Sequence, residues 1–127
     1  DVGENMATNA NWTVIIDDKA IIKNVGDGAG GGFITPDNPL WSDPKFANIW
    51  AIQYQTSVTT DEVEYRDTTP NSTYADANLG DFQQFIDIWD AANLTRLQTE
   101  WDNNDVDGET EADKIARLGA RPTSYSS

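Results

Sequence analysis

Neither cysteine nor histidine occurs in the 127 residues of this chain. Their absence removes disulfides, thiolate nucleophiles, imidazole bases and the commonest zinc ligands, so any bound metal must be held by oxygen. Basic side chains are scarce: 8 Lys and Arg stand against 22 Asp and Glu, a formal charge of -14. Nucleic acid and anionic membranes draw much of their affinity from basic groups that displace counterions, so neither suits such a field. Long apolar runs are missing as well. No stretch approaches the roughly 20 apolar residues of a membrane span, and no apolar core with a basic flank marks a secretory signal in these residues.

What remains is an acidic chain about the size of one domain, whose 5 Trp, 4 Tyr and 4 Phe must carry much of its core and any adhesive surface. Residues 1–10 are polar and unpatterned and read as a flexible N-terminal arm, leaving 11–127 as one domain. Trp12 to Ile16 and Ala20 to Val25 are β-branched runs around the polar turn Asp17-Asp18-Lys19, the pattern of a short hairpin with Trp12, Val14 and Ile16 on one face. A second hairpin is expected from Asn48 to Val58, where Trp50, Ile52 and Tyr54 alternate with smaller or polar residues. It would return through Val63 and Tyr65, with Glu62, Glu64 and Arg66 on the opposite face.

From Leu79 the period changes from 2 to about 3.6. Phe82, Phe85, Ile86, Trp89 and Ala92 gather into one helical stripe, with Asn78 or Asp81 near its start and a kink, a break or a change of partner expected near Asn93. A further short helix begins at the near capping box Thr110-Glu111-Ala112-Asp113 and stops at Gly119 and Pro122. Together these elements predict an α+β fold, an antiparallel sheet of two N-terminal β-hairpins with C-terminal helices packed on it.

Between the hairpins, residues 26–45 hold five glycines before Phe33 and the prolines Pro36, Pro39 and Pro44, and read as a long loop. Ordering so much Gly and Pro costs about 1 to 2 kcal/mol per residue, while the segment's own apolar content is modest. The expectation is that Phe33, Ile34, Leu40, Trp41 and Phe46 serve as an interface to a neighbouring subunit.

Several spellings suggest chemistry. Gly26-Asp27-Gly28-Ala29-Gly30-Gly31 matches GxGxxG, but Gly32-Phe33-Ile34-Thr35-Pro36 stands where a helix should open, and Asp27 would repel phosphate. A flexible glycine loop fits better. Asn103-Asn104-Asp105-Val106-Asp107-Gly108 resembles the first half of an EF-hand loop, yet Lys114 occupies the twelfth position of the bidentate Glu. A weak calcium site on Asp105, Asp107 and Glu109 is the one cofactor expectation, beside a plain solvated turn. Glu62 with Glu64, and Asp87 with Asp90, are carboxylate pairs of the kind glycosidases use, but such pairs arise readily among 22 acids, and a serine triad lacks its histidine. The chain reads as no enzyme. Trp41, Trp50, Trp89 and Trp101 could form a sugar-stacking platform, although core packing is the commoner use of indoles.

The opening segment from Asn11 to Lys19 and the closing one from Phe82 through Asp90 to Arg121-Pro122 resemble short structural proteins of tailed bacteriophages that infect marine bacteria. The resemblance implies a virion component: a head decoration, a tail or fibre accessory, or a connector. Such a part would act through protein–protein contacts with other structural subunits or copies of itself. An extracellular ligand-binding module, for carbohydrate, is the competing class.

Overall fold

The computed structural model describes residues 11–24, 32–55 and 61–126. The chain divides into two compact units, Asp1–Phe85 and Ile86–Ser127. The expected arm at 1–10, most of the glycine run and the turn of the second hairpin lie outside the described residues.

The first unit is built on a five-stranded antiparallel sheet in the order β3-β2-β1-β4-β5. Its strands are β1 (Asn11–Ile15), β2 (Ala20–Asn24), β3 (Gly32–Ile34), β4 (Ile49–Gln55) and β5 (Glu62–Tyr65). β1–β2 and β4–β5 are the two hairpins foreseen from the alternating pattern, joined edge to edge by antiparallel pairing of β1 with β4. At the first turn Lys19 takes a positive φ of 52° and its N–H bonds to Ile16 O at 3.1 Å, while Arg66 pairs with Asp17.

Because side chains alternate along a strand, the register sorts them into two faces. One row runs Ile34, Ile21, Val14, Ile52, Val63, and all but Ile34 are fully buried. Trp12 shares that face and is buried as well. Trp50 breaks the expected alternation: the register shifts between Ile49 and Ala51, Ile49 is buried, and Trp50 is left 42% exposed. A bulge re-aims one side chain in this way.

The segment read as a loop over 26–45 is more structured than its composition suggested. Gly32–Ile34 adds strand β3, and Pro39–Ser42 and Pro44–Phe46 are single turns of 3-10 helix. Each turn opens on a proline just behind a capping residue: Asn38 accepts from Leu40 N at 2.9 Å, and Asp43 from Lys45 N at 3.1 Å. Proline at a first helical position loses no bond, because that N–H has no partner in any helix. These turns carry Trp41 and Phe46 into the core, where both rings lean on Phe85 with centroids 5.9 and 5.6 Å away. Helix α1 (Tyr74–Ala77) then brings Tyr74 against Phe82, which also meets Phe85 at 5.1 Å.

Helix α2 (Gln83–Asp102) starts where Asp81 accepts from Gln83 N at 2.8 Å. It runs unbroken for 20 residues, so of the alternatives expected near Asn93 the break is absent. Asn93 instead donates its side-chain amide to Trp89 O at 2.9 Å, and Thr95 its hydroxyl to Ala91 O at 3.1 Å, absorbing their polarity within the helix.

The second unit pairs the body of α2 with α3 (Glu111–Leu118). Thr110 and Asp113 close the capping box reciprocally, and Gly119, with φ of 82°, ends the helix. The tail is tied back along α2. Trp101 donates to Gly119 O at 3.0 Å, Gln98 to Pro122 O at 3.0 Å, and Arg121 grips Asp102 with two bonds of 2.8 and 2.9 Å. No helix among the described residues is long and apolar enough to cross a membrane.

Candidate functional site

The second face of the sheet combines apolar and acidic groups in order. One row reads Phe33, Ile22, Thr13, Gln53, Glu62, and the next Ala20, Ile15, Ala51, Glu64. Its β3 end is apolar and its β5 end acidic. Phe33 is 70% exposed, while Ile22 and Ile15 are half-buried. Thr13 donates to Gln53 Oε1 at 2.8 Å, and Gln53 Nε2 reaches Glu64 at 3.4 Å, so the polar middle of the face is internally bonded.

The sheet's two edges are finished differently. β5 is closed by a bridge in which Val63 and Ser72 exchange both backbone bonds, at 2.6 and 3.1 Å, with the Tyr65 and Ser72 hydroxyls 2.7 Å apart. β3 is three residues long and pairs with β2 alone among the described residues. An edge of this kind can accept another strand.

Of the five residues expected at an interface, the structure separates two from the rest. Trp41 is 8% exposed, bonds its indole N–H to Pro36 O at 2.8 Å, and is a core residue; Phe46 is buried beside it. They are anchors for their own domain. The reason is that the capped 3-10 turns bend the chain back over Phe85, which composition could not reveal. Ile34 and Leu40 are half-buried and Phe33 is exposed. Trp50, weighed for sugar stacking but not among the interface residues, also reaches solvent.

In the second unit the acidic turn after α2 is closed by cations of the chain itself. Lys114 is 7% exposed, and its Nζ lies 2.5 Å from Asp105 Oδ1, 3.5 Å from Asp102 O and 4.0 Å from the centre of the Trp101 ring. Arg117 holds Glu109 with bonds of 2.7 and 2.8 Å and also donates to Asn104 Oδ1 and O, each at 2.9 Å. Hydrogen bonding to Arg117 keeps the Glu109 carboxyl below the usual range, and Arg121 does the same for Asp102. Gly108 takes a positive φ of 82°, as the sixth position of an EF-hand loop would. Two of the three carboxylates considered for calcium, Asp105 and Glu109, are thus engaged by Lys114 and Arg117, and Asp107 lies exposed. No group of three or more metal-ligating side chains converges among the described residues.

Above this turn lies a cleft of about 330 Å³ with Trp101, Val106 and Lys114 in its lining. Of the four indoles considered for sugar stacking, Trp41 and Trp89 are buried, leaving Trp50 and Trp101 with open surface. Comparison with protein-family models, with curated proteins and with solved structures finds no match.

Proposed function

We propose that the protein is a non-catalytic structural component of an assembly, a part of a tailed-phage virion as its sequence style implies, and that it works through protein–protein contacts. The observation that carries this reading is Phe33. It stands 70% exposed on the short edge strand β3, beside the half-buried Ile22 of the neighbouring strand. An exposed ring of that size on a sheet edge is unfavourable in water unless another surface covers it, and aromatic anchors supply much of the energy of protein interfaces. The acidic surroundings, with Glu62 and Glu64 at the far end of the same face, keep the chain in solution and restrict docking to matched partners.

The test is Phe33→Asp, compared with the parent chain for self-association by sedimentation velocity and for incorporation into phage particles produced in an infected host. Loss of both with an unchanged melting midpoint supports the reading. Undiminished assembly by a folded Phe33→Asp chain would remove its basis.

A further inference from the structure

The cleft on the helical hairpin belongs wholly to the second unit and owes nothing to the sheet face. From its chemistry we infer that it binds a neutral, hydroxyl-rich ligand, a saccharide or comparable polyol, against Trp101 and Val106.

The argument is one of elimination and then of fit. About 330 Å³ is the lower end of the range for small-ligand sites, enough for one or two sugar rings. Asp105, Glu109 and Glu111 surround the cleft, against Lys114 as the cation in its lining, which disfavours an anion. A cation would seek the face of Trp101, but the ammonium of Lys114 already lies 4.0 Å from that ring's centre. The carboxylates best placed to receive a second cation are engaged too, Asp105 by Lys114 and Glu109 by Arg117. An uncharged ligand needs neither the centre of that ring nor an unpaired charge. Glu111 is the one carboxylate of the lining left to draw a cation, an outcome the experiment sets directly against the sugars.

The cleft also offers what such a ligand needs. An ammonium has three donors, and Lys114 finds two acceptors among the described residues, Asp105 Oδ1 at 2.5 Å and Asp102 O at a long 3.5 Å. A ligand oxygen can take the remaining donor. The side chain of Glu111, at the first position of α3, makes no hydrogen bond or ion pair among the described residues, so its carboxylate can accept from hydroxyls. Val106 is 52% exposed, a large apolar side chain in solvent for which the fold supplies no cover, and beside the part of the half-buried Trp101 ring that Lys114 leaves open it presents a surface for C–H groups of a sugar. Donor, acceptor and apolar wall together match a pyranose better than a purely polar or purely apolar molecule.

The experiment follows the indole N–H of Trp101 by nuclear magnetic resonance in the labelled 127-residue chain, its signal identified by its loss in Trp101→Phe. Glucose, galactose, N-acetylglucosamine and maltose are titrated separately, with lysine methyl ester as a cationic probe. The expected result is a saturable shift of that signal and of the Val106 and Glu111 amides with at least one sugar. Glu111→Ala, which leaves the ion pairs of Lys114 and Arg117 in place, should then weaken binding about tenfold, the worth of one hydrogen bond to a charged group. The remaining spectrum reports whether each variant is folded. Silence toward all four sugars, sugar shifts of equal affinity in a folded Glu111→Ala chain, or a response confined to lysine methyl ester would each overturn the inference.

Discussion

The ring of Phe82 lies flat on that of Tyr54, with centroids 4.0 Å apart and 9° between the planes. This stack joins the approach to α2 to strand β4 within the first unit, and Tyr74 meets both rings edge-on, at 5.6 and 5.9 Å. Replacing Phe82 by Ala removes a fully buried ring from the centre of that cluster. The expected loss is about 3 to 5 kcal/mol, read as a lower midpoint in urea or heat. An unchanged midpoint would mean that the ring contributes nothing to the core.

Phe33 and Trp41 lie only eight positions apart, so substituting both separates surface from core. Phe33→Ser should leave stability within about 0.5 kcal/mol, since an exposed ring has little to lose. Trp41→Ala should cost about 3 to 5 kcal/mol, because the indole is buried on Phe85 and bonded to Pro36 O. Thermal melts of the two variants decide, and similar losses would contradict the different environments of the two rings.

Burial, aided by the charges of Asp81, Tyr54 and Asp61, pushes the Tyr74 phenol up to about 12. A group whose folded value lies above its unfolded value of about 10 stabilises the fold fully below pH 10 and loses that contribution as pH rises towards 12. Stability should therefore decline across this window, and Tyr74→Phe should flatten the decline. A phenolate absorbance titration checks it directly, since a Tyr74 that ionises near 10 would refute the prediction.

The guanidinium partners of Glu109 and Asp102 act in the opposite direction. Both carboxyls are held below their ordinary values, so their contribution is complete above the usual carboxylate range and is lost as pH falls through the depressed values. Helical circular dichroism of the second unit should fall in that acidic window. Arg117→Met with Arg121→Met should weaken this dependence; an identical acid profile would show that the pairs do not stabilise the hairpin.

Thr110→Ala should lower the stability of α3 by about 1 kcal/mol, because its hydroxyl accepts from Asp113 N at 3.1 Å while Asp113 returns the bond. Thr110→Ser should restore most of it. Hydrogen exchange at the amides of 111–114 reads the difference, and equal protection in all three chains would deny the cap its role.

Both hairpins and the α+β class were legible in the residues, since alternation at Val14, Ile52 and Val63 has a period that suits a half-buried strand and no helix. Thr110, Asp113 and Gly119 likewise announced α3, because caps are local chemistry and need no distant partner. The segment around Trp41 was not legible. Asn38-Pro39 and Asp43-Pro44 spell both a loop and a capped helical start, and the choice depends on Phe85, more than 40 positions along the chain. Trp50 was misplaced for a related reason, as a shift of register between Ile49 and Ala51 depends on the partner strand. Lys114 looked like a missing ligand in the sequence; folding placed its ammonium against Asp105 and Trp101. Local pattern thus determined which elements form and where the caps lie. Long-range packing decided which aromatics are buried and which, like Phe33, remain in solvent, because burial depends on what the rest of the chain brings alongside.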